Sequence, residues 1–270
     1  MSLPRIVPRT EPREPLAVEA MPKAAAASRE RGSVMNPWPG PAGAFPALCP
    51  LCGGALEPMP GMPGRARHRS TRNSARCVLT TRRYQPDELV VRGSGDAALA
   101  ARSRARFVEH WEWHYTLARR VWPGFTLNRF MTLTALSDLL GLWSYPALRD
   151  EDLSAVLLVM AGFMRSPAPG DATGPAPGGE ARWGRFWFEA AVRDVGDLWR
   201  GPGAAPRLFL VHYREPLATP FPTGAQVSGW HRVDGMREAW FDALAAAAPR
   251  VPDPERAAFR RFLAARDGAN

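Results

Sequence analysis

The chain has 270 residues, of which 46% are apolar, and its three cysteines are too few for the disulfide framework of a small secreted protein. The formal net charge of +9 favours an acidic partner, but it does not distinguish nucleic acid from a membrane surface or another protein. The longest strongly apolar run, Leu153 to Met164, has 12 residues, fewer than the roughly 20 that span a bilayer, so no membrane-spanning segment is expected.

Residues 1–40 predict a flexible tail, because prolines recur too often for a helix to propagate and few large apolar side chains are present. The first 34 residues also lack the apolar stretch of a signal peptide. We therefore expect a soluble, cytoplasmic protein.

Residues 41–96 predict a small β module that is similar to a zinc ribbon. The segment from Cys77 to Tyr84 is rich in β-branched and aromatic residues, as strands are, and a turn at Gln85-Pro86-Asp87 separates it from a second predicted strand, Glu88 to Arg92. We expect these two strands to form a hairpin that carries the last cysteine of the module.

The same module contains the pattern Cys49-x2-Cys52-x15-His68-x8-Cys77. Structural zinc sites commonly combine three cysteines with one histidine in a tetrahedron. Gly53 and Gly54 follow the first pair directly, where they permit a tight turn and leave backbone amides free to donate to sulfur. We therefore predict that Cys49, Cys52, His68 and Cys77 bind one zinc ion.

Two alternatives remain open for the cysteines. A redox Cys-x2-Cys pair would need a thioredoxin-like βαβ context, and no helical pattern follows this pair. The cysteines could also be unrelated residues of an ordinary loop. His68 is the least specific of the four ligands, since another histidine or a water molecule could complete the tetrahedron.

Positive charge is concentrated between the predicted ligands. Between Pro58 and Pro86 there is no Asp or Glu, but there are seven arginines. Arginine contacts phosphate through two parallel hydrogen bonds, and a tyrosine ring can stack on an unpaired base. We predict that DNA or RNA contacts eight side chains here: Arg65, Arg67, Arg69, Arg72, Arg76, Arg82, Arg83 and Tyr84. The alternative is a solvated loop that binds an acidic protein or nothing.

Residues 97–164 predict a helical subdomain. Apolar residues at helical spacing indicate one long helix from Ala98 to Val121, which Pro123-Gly124 ends. Thr126 is the predicted cap of the next helix, and Asp150 or Asp152 is the predicted cap of a very apolar helix that ends near Met164. Residues 165–180, rich in proline and glycine, predict a linker or disordered loop.

Residues 181–270 predict a mainly helical C-terminal subdomain. Its expected helices are Arg182 to Trp199, Asp234 to Ala248, and Pro254 to Arg266 with Asp253 as cap, and Arg207 to Tyr213 is an expected buried strand. The predicted fold class is thus mainly α, with a small N-terminal zinc-ribbon-like β module and a short strand in the helical body. Trp183, Phe186 and Trp187 are candidates for a protein-partner or oligomer surface, against ordinary burial.

Four histidines are weaker candidates for metal binding or catalysis. His110 and His114 lie one helical turn apart and could chelate a metal, but packing of an aromatic helix is the commoner cause of such a pattern. His212 lies in a predicted strand and His231 in a predicted turn, and no nucleophile is placed beside either. We therefore predict no catalytic residues and no enzymatic activity.

These features together predict a zinc-stabilised nucleic-acid-binding protein. Its layout is analogous to that of non-catalytic subunits of nucleoprotein complexes, such as CRISPR-type effectors or mobile-element machinery, although no motif supports the analogy. One alternative is a zinc-containing protein–protein adaptor with an aromatic helical interface. Another is an unrecognised hydrolase that uses His212 or His231.

Overall fold

The computed structural model describes residues 45–62, 65–81, 89–165, 183–200, 206–214, 223–245 and 251–268. The predicted tail at 1–40 and the predicted linker at 165–180, apart from Arg165, lie outside these residues. All described residues belong to one compact unit, Gly32–Asn270, and they combine seven helices with two small antiparallel sheets. The fold is therefore mixed α/β with helices predominating, and the predicted domain boundaries stay predictions.

The helices begin and end as follows: α1 Thr71–Arg76, α2 Ala97–Glu109, α3 Trp111–Val121, α4 Leu127–Leu140, α5 Asp150–Met160, α6 Met236–Ala245 and α7 Asp253–Asp267. The predicted cap of α4 is confirmed, because Thr126 Oγ1 accepts a hydrogen bond from the Arg129 N–H at 3.3 Å. The predicted single helix from Ala98 to Val121 is instead α2 and α3. His110, with φ −105° and ψ 14°, leaves helical geometry between them.

Two predicted aspartate caps are wrong. Helix α5 has Arg149 at its N-cap and α7 has Pro252, and neither residue makes a side-chain capping bond. Asp150, Asp152 and Asp253 lie one to three residues after these N-caps, in the first turn of each helix, where negative charge complements the helix dipole.

The strands are β1 Leu56–Pro58, β2 Ala66–His68, β3 Met164–Arg165, β4 Trp183–Phe188, β5 Leu208–Tyr213 and β6 Val227–Val233. Strands β1 and β2 form a hairpin, and β3 to β6 form a four-stranded antiparallel sheet in chain order. The predicted strand between Arg207 and Tyr213 is confirmed as β5, whereas β6 was not predicted.

The predicted helix from Arg182 to Trp199 is wrong. Its first part is β4, and its last part, Val195–Trp199, is a short 3-10 helix. The aromatic run is continuous because both faces of β4 are buried: Phe186 and Phe188 pack on one side of the sheet and Trp187 on the other. Such a run does not distinguish a buried strand from a helix by its spacing alone.

The sheet has a different hydrophobic cluster on each face. One cluster joins the helices to the sheet residues Phe186, Phe188, Leu208 and Leu210. The other joins the cysteine region to the sheet residues Trp187, Phe209, Val211, Tyr213 and Trp230. On the helical side Trp122 lies against Gly184 so closely that an added Cβ would be 2.5 Å from the indole ring. The cysteine region therefore packs against one face of the four-stranded sheet and shares a hydrophobic cluster with it.

The predicted hairpin of Cys77–Tyr84 with Glu88–Arg92 is not formed by its described residues. Residues 77–81 continue from α1 as turns, in which the Thr80 and Thr81 N–H groups both donate to the Cys77 carbonyl. Val90 instead forms an isolated parallel bridge with Asp194. Residues 82–88 lie outside the described part. The hairpin of this region is β1–β2, whose register pairs Leu56 with His68.

Aromatic side chains fill the helical core, as predicted from their spacing. The Trp111 and Phe259 rings stack with centroids 4.2 Å apart, and this contact fixes α7 against α3. Tyr115 and Phe130 lie in the same cluster. No helix in the described part of the chain is long and apolar enough to span a membrane.

Candidate metal centre

The first two cysteines lie in a tight turn. The Gly53 N–H donates to the Cys49 carbonyl at 2.7 Å, and the Cys49 N–H donates to the Gly54 carbonyl at 2.8 Å. Gly53 has φ +70°, a conformation that glycine adopts without strain. The Gly54 N–H points at the Cys52 sulfur, 3.4 Å away. The turn therefore presents two sulfurs on one side and supplies a backbone donor to one of them, as the sequence predicted.

The other two predicted ligands come from strand β2 and from the C-terminus of helix α1. His68 ends β2, where strand alternation buries it between exposed Arg67 and Arg69. Cys77 caps the C-terminus of α1, and its N–H donates to the Asn73 carbonyl at 3.0 Å. Ser70 caps the N-terminus of this helix through its side chain.

The four side chains converge on one point. The potential ligand atoms of Cys49, Cys52, His68 and Cys77 all lie within 4.8 Å of one another. The Cys49 and Cys77 sulfurs are 3.8 Å apart, and the Cys52 sulfur is 3.2 Å from His68 Nε2. Zinc–sulfur bonds of 2.3 Å in a tetrahedron require sulfur–sulfur edges of about 3.8 Å and sulfur–nitrogen edges of about 3.6 Å. The cluster could therefore hold a metal ion with little rearrangement.

The centre is enclosed and its thiols are crowded. Cys49, His68 and Cys77 are buried, while Cys52 is half-buried. Hydrogen bonding to Cys52 raises the pKa of Cys49 to about 12, and hydrogen bonding to Cys49 raises the pKa of Cys77. Hydrogen bonds from Cys49, Cys77 and His68 hold the pKa of Cys52 far below its usual value. A divalent cation would remove the competition among the three thiols for the single negative charge, because it stabilises each cysteine as a thiolate.

Close packing at Gly54 positions His68 and helix α1 against the cysteine turn. A Cβ on Gly54 would lie 2.8 Å from the Asn73 Cβ and 3.0 Å from His68 Cδ2. The turn is also tied to the sheet, because the Pro50 carbonyl accepts a hydrogen bond from the Ala190 N–H at 2.8 Å. The candidate metal centre therefore rests on contacts from β2, α1 and the end of β4.

The predicted phosphate contacts differ in their surroundings. Arg69, Arg72 and Arg76 are exposed and Arg65 is half-buried, and none of these four forms an ion pair with a described residue. Arg67 is different, because its Nε lies 2.7 Å from the Glu57 carboxylate. The other predicted contacts, Arg82, Arg83 and Tyr84, lie outside the described residues.

The histidine pairs form no second metal centre. Among described residues, the four-residue cluster at Cys49 is the one group of three or more metal-ligating side chains. His114 is fully buried, stacks on Trp240 with centroids 4.4 Å apart, and lies 3.1 Å from Ser154 Oγ. Burial lowers the pKa of His114 to about 3. His212 and His231 stack on each other across β5 and β6, with centroids 5.4 Å apart.

The predicted partner surface at Trp183, Phe186 and Trp187 is not an exposed surface. Phe186 is 0% and Trp187 is 8% exposed, and Trp183 is half-buried. These side chains fill the two clusters on either side of β4, which explains their density in the sequence.

Sequence reasoning missed two residues near the centre. Asn73 packs against the turn, and Arg193, which follows β4, lies on the same cleft as Arg76. Arg193 is more than 100 positions from the other arginines of the region, so no local pattern could have indicated it. No family model, curated protein or solved structure matches this chain, so the candidate site is defined by its own geometry.

Proposed function

We propose that Cys49, Cys52, His68 and Cys77 bind one structural zinc ion, and that the arginines beside this centre bind the phosphate backbone of nucleic acid. The observation that carries the proposal is the position of exposed, unpaired arginines directly between two converging ligands, His68 and Cys77.

The donor set supports zinc. Thiolate and imidazole ligands suit zinc, whereas calcium and magnesium take oxygen ligands. Four protein ligands also leave no open position for water, which is the pattern of structural rather than catalytic zinc sites. A zinc ion here would tie β2 to α1 and to the turn at Cys49, and so would fix the segment on which the arginines lie.

The arrangement of the arginines supports phosphate binding. Arg65, Arg67 and Arg69 alternate with the buried residues Ala66 and His68, so they share the solvent side of the β1–β2 hairpin. Arg67 forms an ion pair with Glu57, so Arg65 and Arg69 remain available to bind an anion.

Helix α1 adds two further cations. Arg72 and Arg76 are four residues apart and lie on the same face of the helix. Four unpaired guanidinium groups within twelve residues are typical of a surface that contacts several phosphates.

The zinc part is tested by metal analysis of the purified protein. We expect one zinc per chain, and we expect Cys77→Ser to lose it because the tetrahedron then lacks a thiolate. Val78→Ala is the matched control, since it truncates the adjacent buried side chain without removing a ligand. A wild-type protein without zinc, or a Cys77→Ser variant that retains full zinc, would contradict this part.

The nucleic-acid part is tested by the salt dependence of binding to duplex DNA. If Arg65, Arg69, Arg72 and Arg76 each neutralise one phosphate, log K should fall with log salt at a slope of about −3 to −4. The double change Arg72→Gln/Arg76→Gln should reduce the size of that slope by about 2. The control, Arg260→Gln/Arg261→Gln, removes equal charge from the exposed face of α7 and should leave the slope unchanged. Equal slopes for both variants, or no binding, would refute the proposal.

A further inference from the structure

A cleft with a volume of about 460 Å³ opens beside Cys52, between α1 and the end of β4. Its walls include the apolar side chains of Val78, Leu89 and Trp187, and Arg76, Arg193 and Asn73 also line it. The volume falls within the usual range for small-molecule sites, roughly 300–1,000 Å³. An apolar wall combined with cationic side chains suits a ligand that has a flat apolar part and an attached anion.

The two arginines of the cleft are available to an anion. Arg76 and Arg193 are both exposed, and neither forms an ion pair with another residue in the described ranges. Two carboxylates are close, because Glu189 itself lines the cleft and Asp197 lies within reach of the charge of Arg193, but both are engaged. Glu189 binds Arg207 through contacts of 2.9 and 2.6 Å, and Asp197 pairs with Arg200 at 2.9 Å.

We propose that this cleft receives one unstacked nucleotide of a bound single strand, with the phosphate on Arg76 and Arg193 and the base against the apolar wall. The inference rests on the proposed function, because Arg76 belongs both to the phosphate-binding face of α1 and to the cleft. A strand that follows Arg69, Arg72 and Arg76 arrives at the cleft, because Arg76 lines it. A base held within a duplex cannot enter without leaving its stack, so the cleft favours single strands.

The test compares Arg193→Gln with the control Arg261→Gln, each against three probes of equal length: oligothymidine, the same strand without bases, and duplex DNA. A phosphate contact coupled to one inserted base is worth on the order of a tenfold change in affinity. Arg193→Gln should therefore weaken binding of oligothymidine about tenfold, and binding of the base-free strand and of the duplex less than about twofold. Arg261→Gln should change none of these by more than about twofold.

The outcomes separate this inference from the proposed function. If the wild-type protein binds duplex DNA with the expected salt slope but Arg193→Gln behaves as Arg261→Gln on oligothymidine, the cleft proposal is wrong and the proposed function stands. An equal loss on all three probes would make Arg193 an ordinary phosphate contact and would also overturn the cleft proposal. If the wild-type protein binds no probe, both are wrong. Should Arg193→Gln misfold, equal wild-type affinity for oligothymidine and the base-free strand would overturn the cleft proposal without any variant.

Discussion

The substitution Gly54→Ala tests whether close packing around the cysteine turn sets the metal geometry. The added Cβ would be 2.8 Å from the Asn73 Cβ and 3.0 Å from His68 Cδ2. Ordinary carbon–carbon contacts begin near 3.5 Å, so the shortfall at Asn73 is about 0.7 Å. The Asn73 Cβ is fixed to the backbone of α1 and cannot rotate away. Helix α1 must therefore shift, and it carries the ligand Cys77 at its C-terminus.

Overpacking of this kind costs about 1–3 kcal/mol. If the strain falls mainly on the metal-bound state, zinc affinity should fall by about 5- to 150-fold. The assay is competition for zinc with a chromophoric chelator, followed for the wild-type protein and the variant under the same conditions. Gly229→Ala is the control, because a Cβ at that position meets nothing within 4 Å.

A second variant distinguishes steric strain from an unrelated loss of stability. Asn73→Gly removes the closest contacting atom, so the double variant Gly54→Ala/Asn73→Gly should recover part of the lost affinity. Recovery should be incomplete, because His68 Cδ2 remains close and glycine within a helix costs about 1 kcal/mol. Zinc affinity of Gly54→Ala equal to that of Gly229→Ala would refute the packing argument.

Two further predictions concern stability. Burial holds the pKa of His114 at about 3 in the folded chain, against 6.5 when exposed, so below pH 6.5 the unfolded chain gains a proton that the folded chain excludes. The contribution of neutral His114 to the free energy of unfolding is therefore fully present well above pH 6.5, and about 2 kcal/mol of it should be lost by pH 5. Urea titrations of His114→Phe should show a shallower fall of the free energy of unfolding with pH than those of the wild type. If the difference in the free energy of unfolding between wild type and His114→Phe did not change with pH, the prediction of a neutral, buried His114 would be contradicted. Asp152 is buried, pairs with Arg237 at 2.7 Å and accepts a hydrogen bond from the indole Nε1–H of Trp199 at 3.0 Å, so Asp152→Ala should lower the free energy of unfolding by about 3–5 kcal/mol. Asp234→Ala, which breaks the exposed Arg232 pair, should cost less than about 1 kcal/mol in the same titration, and equal losses would show that burial of the pair has no effect.

The features that the sequence predicted correctly are those determined by interactions between residues close together in the chain or by the ligand preference of a metal. The spacing of Cys49, Cys52, His68 and Cys77, with glycines after the first pair, was enough to indicate that these four side chains meet. Thr126 was predictable as a helix cap, because its side chain bonds a backbone amide only three residues away. The strand Leu208–Tyr213 was predictable because it is short, apolar and β-branched or aromatic. Each of these features depends on neighbours in the chain or on a strong ligand preference.

Tertiary packing decided the rest. The aromatic run at Trp183–Phe188 forms a strand because the helices cover one of its faces and the cysteine region covers the other, and the sequence does not contain that information locally. For the same reason Phe186 and Trp187 form core rather than a partner surface.

The described residues of the cysteine region form a hairpin different from the predicted one for a related reason. The Thr80 and Thr81 N–H groups both donate to the Cys77 carbonyl in a turn, and the Thr81 carbonyl accepts from the distant Gly224 N–H, so these groups do not pair with the predicted partner strand. The cleft likewise depends on distant segments, because Arg76 and Arg193 become neighbours only when α1 packs beside the end of β4. Hydrophobic burial is non-directional and acts between residues far apart in the chain, so it selects among local structures that the sequence alone leaves nearly equal in free energy.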